Sequence, residues 1–510
     1  MLLNNFLEQT AERLPDKVCL VFRERRYTYA EIEEASNRLA HALRDRGIER
    51  GDRVAVFMEN SPEVAISLFG ILKAGGIFSI LNPLIKAKKL NYILNHSGAR
   101  CLITQRERLP VVKEAMDSTP DLKFLILSGG EEVDLRGKDL LRWEALSQYP
   151  STPFSSGCID VDLASIIYTS GSTGDPKGVM LTHHNMISAA TSIIQYLREQ
   201  ESDVILDVLP LSFDYGLYQI LMAFRVGATV VLDRPFSYPY PVIQLMLSER
   251  ITGFPGVPTI FALLLSLEGI ERYRFESVRF VTNTAAALPP AFIPRLRTIF
   301  PRARIFAMYG LTECKRVSYL PPEELDRRPT SVGKAMPNTE VFIVDEKGRR
   351  LGPGKVGELV VRGSNVMRGY WRDPEGTEKV LRPGPYYGEK VLYTGDLFMM
   401  DEEGFLYFVG RKDDMIKTRG ERVSPKEVED AIYELEGVKE VAVVGVPDQL
   451  WGQAIKAFIV PKDGVSLTEK EVIKHCSRLL EPFMVPKYVE FRTSLPKTST
   501  GKIKKTELTR

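Results

Sequence analysis

Ile32, Ala35, Leu39 and Ala42/Leu43 recur every three or four positions and Gly47 ends the run, which predicts an amphipathic helix over 30–47. Arg53-Val-Ala-Val-Phe57 then breaks that period with a short, continuous apolar run, the pattern of a strand buried on both faces. The rhythm repeats: 62–74 predicts a helix, 77–80 and 101–104 predict strands, and further strands are expected at 204–209, 229–232 and 279–282. Strand-like runs alternating with helical ones predict an α/β fold with helices on both faces of a sheet. Residues 1–15 read as a short amphipathic helix that lacks the basic segment, apolar stretch and cleavage site of a signal peptide. The best approach to a membrane span, 66–85, contains Lys73 and is broken by Gly75-Gly76 and Asn82-Pro83, so a soluble core is expected.

After about residue 330 the pattern changes. Short strands at 340–344, 358–362 and 406–409, separated by Gly/Pro turns, predict a β-rich subdomain over about 330–410. The charged run Arg411-Lys-Asp-Asp414 follows, and the rest of the chain has enough alternation for a small α+β domain. The expected division is a large N-terminal domain, 1–410, and a C-terminal domain, 411–510. With 510 residues the chain is too long for one core.

Composition narrows the function classes. A formal net charge of +2 gives no global field for nucleic acid or an anionic membrane. The five cysteines are scattered and odd in number, which argues against a disulfide framework and for reducing cytoplasm. The histidines form no metal-binding spacing, and adjacent His183 and His184 must face different ways, so a zinc site is not expected. The C-terminal cluster Lys497, Lys502, Lys504, Lys505 and Arg510 reads, by composition alone, as a solvated tail; the last residues form no peroxisomal or retention address.

The most informative stretch is 166–180, where an apolar strand enters a loop carrying Thr169, Ser170, Ser172 and Thr173, with Gly171, Gly174 and Gly178 interleaved and Lys177 beyond. Glycines let several N–H groups converge, hydroxyls add donors and the lysine adds charge, a combination suited to polyphosphate. By composition alone it would be a flexible surface loop. It is not a Walker loop, which needs Gly, four residues, then Gly-Lys-Ser/Thr; Gly501-Lys502 also fails, since Pro496 and Ile503 stand at the other required positions. Gly352-Pro-Gly-Lys-Val-Gly357 matches the dinucleotide spacing but leads into a strand-like run, so a hairpin turn is expected.

Thr169-Ser-Gly-Ser-Thr-Gly-Asp-Pro-Lys-Gly178 resembles the signature loop of the adenylate-forming superfamily: acyl- and aryl-CoA synthetases, adenylation domains of peptide synthetases, and beetle luciferases. Tyr309-Gly-Leu-Thr-Glu313, Tyr393-Thr-Gly-Asp396, Gly410-Arg-Lys-Asp-Asp414, Ile416-Lys-Thr-Arg-Gly420 and Lys497-Thr-Ser-Thr-Gly-Lys502 resemble its later motifs, in order, across essentially the whole chain. The resemblance implies an AMP-forming acyl-CoA synthetase using ATP, Mg²⁺ and coenzyme A. Its 1–410 part would bind ATP and acid, and its C-terminal domain would be mobile about Asp413. Thr169, Ser170, Gly171, Ser172, Thr173, Gly174 and Lys177 would hold the outer phosphates. Glu313 would hold Mg²⁺ and Thr312 would contact the α-phosphate. Tyr309 would stack on adenine, beside Gly310 and the strand end Asn283, Ala285 and Ala286. Asp396 would accept both ribose hydroxyls at the end of a tight turn, with Arg411 as a second ribose or phosphate contact. Lys502 would bridge the attacking carboxylate and the α-phosphate. Lys417, Arg419 and Gly420 would present the opposite face to the thiol.

The acid pocket implied by the resemblance comprises Phe213, Asp214, Tyr215, Phe254, Gly256, Thr282 and Met308. Phe213-Asp214 is similar to the Phe-Asp of amino-acid-activating domains, whose aspartate pairs with the substrate's α-ammonium; a local Lys or Arg is the alternative partner for a buried Asp214. The acceptor is then either coenzyme A or the phosphopantetheine of a separate acyl or peptidyl carrier protein, and the layout of stand-alone synthetases favours coenzyme A. The resemblance fits a monomer or homodimer. Two other classes stay open: a kinase or NTPase, which would release ADP, and a silent scaffold, against which Thr312, Glu313, Asp396 and Lys502 together speak.

Overall fold

The computed structural model describes residues 1–130, 137–169, 175–233, 239–412, 414–418, 421–448, 450–498 and 502–508. Two large, mainly parallel sheets carry the N-terminal part. One runs in the order Lys334–Ala335, Ser318–Tyr319, Arg304–Tyr309, Phe280–Asn283, Gly253–Gly256, Val204–Asp207, Thr229–Leu232, Val18–Phe22, Arg25–Thr28. The other runs Gly369–Tyr370, Lys177–Thr182, Leu163–Thr169, Ile77–Ile80, Arg53–Phe57, Cys101–Gln105, Phe124–Ser128, Asp139–Arg142. Their inner strands are parallel and apolar throughout, as helical crossovers covering both faces require.

The predicted helix at 62–74 spans Pro62–Lys73, and its residues from Val64 to Lys73 are all buried, so its uniformly apolar surface belongs to the core. Among the described residues no helix is long and apolar enough to cross a membrane. Lys73, fully buried, pairs with Glu8 at 2.8 Å and Glu33 at 2.7 Å, tying the helices Asn5–Arg13 and Tyr29–Asp45 to its own. A second tie comes from His183, whose Nδ1 accepts the Leu3 N–H at 3.0 Å while its neighbour His184 faces solvent. Burial pushes the His183 imidazole down to about 4.

A third, antiparallel sheet orders Thr339–Val344, Val356–Gly363, Lys390–Met400 and Leu381–Pro383, with Leu406–Arg411 also on Lys390–Met400. The GxGxxG-like stretch lies in the hairpin connecting Thr339–Val344 to Val356–Gly363, as expected. The β-rich segment is less self-contained than its pattern predicts. Lys334–Ala335 extends the first large sheet, and Gly369–Tyr370 joins the second by pairing with Met180 and Val179. A fourth sheet, built on Val438–Asp448 and Gly452–Pro461, has its own core of Ile416, Val428, Ile432, Val443, Ile459 and Val472. That core is separate from the one running from Leu3 to Leu406.

Candidate active site

The phosphate-loop motif joins Leu163–Thr169 to Lys177–Thr182, an antiparallel pair in which Thr169 faces Lys177. Ser170, Gly171, Ser172, Thr173 and Gly174 lie outside the described residues. Lys177 is held by Asp373 at 3.4 Å and sits 4.8 Å from the Tyr370 ring centroid. Trp371 closes this side: its N–H donates to the Gly178 carbonyl at 2.7 Å and its indole N–H to the His96 carbonyl at 3.0 Å.

Tyr309, Gly310, Thr312 and Glu313 follow the strand Arg304–Tyr309 at its C-terminal end, where open α/β sheets place ligands. The chain doubles back so tightly that a Cβ on Gly310 would come 2.3 Å from the Lys315 carbonyl oxygen, which restricts the position to glycine. Glu313 accepts the Tyr370 hydroxyl at 2.7 Å. Tyr309 packs on Phe398 and Phe408, and its hydroxyl donates to Asp396 at 2.5 Å. Asp396 is not at a turn, as its motif predicts, but inside the long strand Lys390–Met400. Gly395, at φ +71°, produces a bulge there, and the bulge aims Asp396 at Tyr309 and Arg411. The other Asp396 oxygen is buried without a hydrogen bond and lies 3.3 Å from Arg411 Nε. Burial raises the Asp396 pKa, opposed by Arg411 and by the Tyr309 hydrogen bond. One oxygen thus already serves Tyr309, so bidentate ribose binding would have to share it.

Asn283 anchors the neighbouring strand end by donating to the Ala286 carbonyl at 2.9 Å, while its own Oδ1 is buried and unpaired. Ala285 stands at φ +73°, a left-handed conformation that suits glycine.

Lys502 reaches this cleft from the C-terminal sheet. The Thr498 N–H donates to the Lys502 carbonyl at 2.7 Å and the Lys502 N–H to Thr498 Oγ1 at 3.0 Å, forming a tight turn. Lys497, paired with Glu440 at 2.6 Å, fastens that turn to the sheet. The Lys502 side chain is open to solvent yet surrounded by protein, as in a cleft mouth. Burial lowers its pKa; Asp214, Asp396 and Glu313 oppose that shift and Arg411 adds to it. A residue that composition assigns to a solvated tail therefore lies within electrostatic reach of Glu313 and Asp396. Lys417 is exposed on Ile416–Thr418, its N–H donating to Gln453; Asp413, Arg419 and Gly420 lie outside the described residues.

In the acid-pocket group, Asp214 opens the helix Asp214–Val226 with Phe213 half-buried before it. The Lys315 ammonium donates to the Asp214 carbonyl at 2.8 Å and lies 3.6 Å from its carboxylate, both groups being buried. Of the partners left open for Asp214, the structure supplies the local cation, so no substrate ammonium is needed to balance it. Burial pushes the Lys315 ammonium down to about 7. The Tyr215 hydroxyl donates to the Thr282 carbonyl at 2.9 Å, and Met308 Sδ accepts from Tyr196 at 3.0 Å. Phe254 is wholly buried against Phe261 and Phe300, and Gly256 abuts Phe261, so these two belong to the core behind the pocket group. Sequence reasoning missed Tyr370, Asp373, Lys315 and Arg316. The adjacent cations Lys315-Arg316, just after the Tyr309–Glu313 motif, were the available signal.

Residues 7–371 match the family model for AMP-binding enzymes, and residues 427–502 match that for the AMP-binding enzyme C-terminal domain. The chain is 32% identical to a long-chain-fatty-acid–CoA ligase of Bacillus subtilis (strain 168), across 98% of this chain and 93% of the relative. It is 33% identical to the ligase of the same name from Escherichia coli O157:H7, across 99% and 93%. The crystal structure of the anthranilate CoA ligase AuaEII in complex with anthranoyl-AMP superposes with a TM-score of 0.91 at 28% identity, covering 100% of this chain and 96% of that one. With its fold, its loop-borne motifs and both family models in agreement, the chain belongs to the AMP-binding enzymes.

Proposed function

We propose that the protein is an AMP-forming acid–thiol ligase, which converts a carboxylic acid and MgATP to acyl-AMP and pyrophosphate and then passes the acyl group to coenzyme A. The observation that carries this reading is that Lys502, a cation from the C-terminal unit, lies within electrostatic reach of Glu313, Asp396 and Arg411. A carboxylate and a polyphosphate repel each other, and in-line attack adds charge to the bridging oxygens, so a cation held between them lowers the barrier. Lys502 takes that role. Thr169 and Lys177 sit at the two ends of the loop assigned to the outer phosphates, Thr312 meets the α-phosphate, and Tyr309, Asp396 and Arg411 hold the nucleoside. Magnesium enters with the nucleotide. A hard cation that keeps phosphates and waters asks for one or two protein oxygens, and Glu313, fixed by Tyr370, fits that demand. Among the described residues no group of three or more metal-binding side chains exists that would form a resident cage.

Lys502 cannot stay in place while a thiol approaches the same carbonyl. The separate C-terminal core supports a rotation of 411–510 about Asp413 that would withdraw Lys502 and bring Lys417 to the site. The scattered free cysteines support a cytoplasmic setting. The Lys315 pair takes the place that an amino-acid substrate's ammonium would have had at Asp214, and the layout of stand-alone synthetases favours coenzyme A over a separate carrier protein as the acceptor.

ATP–pyrophosphate exchange across fatty, aryl and amino acids, followed by thioester assay with coenzyme A, tests the reading. Exchange with at least one acid and coenzyme A-dependent AMP release are expected. ADP as product, or no exchange with any acid, would refute it.

A further inference from the structure

Arg316 lies three residues beyond Glu313, on the connection to the strand Ser318–Tyr319, and is only 2% exposed. Its guanidinium stands 5.2 Å from the Tyr215 ring centroid, and its charge reaches the Tyr196 hydroxyl. Nε has no hydrogen-bond partner. Among the described residues the guanidinium has no ion-pair partner. Asp214 is taken by Lys315, and Glu199 lies with Asp203 and Arg279, its carboxyl pushed up to about 8 by burial. A guanidinium does not lose its proton, so the charge persists in the core. Leaving it there without an anion is costly, and a ring face offsets only part of that cost.

The position explains where an anion could come from. Tyr215, on which Arg316 rests, follows Asp214, and Asp214 is one of the groups whose charge reaches the Lys502 ammonium. Tyr215 and Thr282, which the family resemblance assigns to the acid pocket, are joined by the Tyr215 hydroxyl, and Arg316 lies against the Tyr215 ring, so the far end of an acid held in that pocket comes next to Arg316. Tyr196, stacked on Tyr319 at 4.0 Å and bonded to Met308, packs behind.

Resting on the ligase reading, we propose that Arg316 sets the acid specificity by receiving an anionic group at the far end of the substrate, so that the preferred substrate is a dicarboxylic acid rather than an unsubstituted alkanoic acid. An alkyl tail would be buried against an uncompensated charge; a second carboxylate neutralises it through a charge-assisted contact.

The test is ATP–pyrophosphate exchange with pairs of monocarboxylic and terminal dicarboxylic acids matched in carbon number, for the wild type, Arg316→Met and Arg316→Lys. The wild type should prefer one or more diacids over their matched monoacids by about tenfold or more in kcat/KM. Arg316→Met should abolish or invert that preference, and Arg316→Lys should keep part of it. Nucleotide-dependent thermal stabilisation checks that each variant is folded. Should Arg316→Met not fold, the wild-type panel and Arg316→Lys still decide. A wild type that prefers monoacids at every length, or an Arg316→Met protein with an unchanged ratio, overturns the inference and leaves the ligase reading intact. Exchange with no acid of any kind refutes both.

Discussion

Ala285 holds a left-handed backbone at the strand end beneath the assigned nucleotide site, where a side chain normally costs about 1–2 kcal/mol. Ala285→Gly removes that cost, partly offset by the larger entropy of glycine in the unfolded chain, so a net gain of up to about 1 kcal/mol is expected in chemical denaturation. A loss would mean that the conformation carries no strain. Lys502 carries the sharper expectation. Lys502→Ala should lower adenylation by on the order of 10²–10³ or more, read as pyrophosphate exchange, with little change in melting temperature because the side chain is solvent-exposed. Sequence motifs pointed to both positions, but not to their contacts. Asp214 and Lys315 are 101 residues apart, and neither periodicity nor spacing says that they meet. The Tyr370–Glu313 and Tyr309–Asp396 bonds were hidden for the same reason.

Helices and strands were easier to read than their partners. The period at 30–47 and the apolar runs at 53–57 and 77–80 map onto Tyr29–Asp45, Arg53–Phe57 and Ile77–Ile80, because burial on one stripe or on both faces writes itself into residue order. The bulge at Gly395 and the detour of Gly369–Tyr370 into another sheet leave no such record, since they depend on which edges are free. At this scale the docking of the N-terminal segment on His183 predicts a pH dependence. The folded imidazole titrates near 4 and the unfolded one near its ordinary 6.5, so the unfolded chain binds more protons between those values. Stability is full above 6.5 and falls as pH drops towards 4, by about 2 kcal/mol at pH 5 from this group. Thermal unfolding at pH 7 and pH 5 should therefore differ less for His183→Asn, whose amide oxygen can still accept the Leu3 N–H. Equal differences for the two proteins would exclude the imidazole as the source.

Across the whole molecule, the separate C-terminal core and the Lys502 cation it carries are the basis for expecting different arrangements in the two half-reactions. Lys502→Ala should spare thioester formation from supplied acyl-AMP while abolishing adenylation; equal damage to both steps would count against rotation. The change of core between Leu406 and Ile416 coincides with a change of pattern and a charged run in the sequence, but the interlocking of Gly369–Tyr370 and Trp371 with the second large sheet left no such sign. That interlock has a practical consequence. Trp371, one of three tryptophans, is pinned by its backbone to Gly178 and by its indole to His96, whereas Trp143 and Trp451 lie in other parts of the chain. Filling the adjoining loop with phosphate should alter the emission of this indole, giving a label-free optical trace of nucleotide capture in stopped-flow, lost in Trp371→Phe and retained in Trp451→Phe.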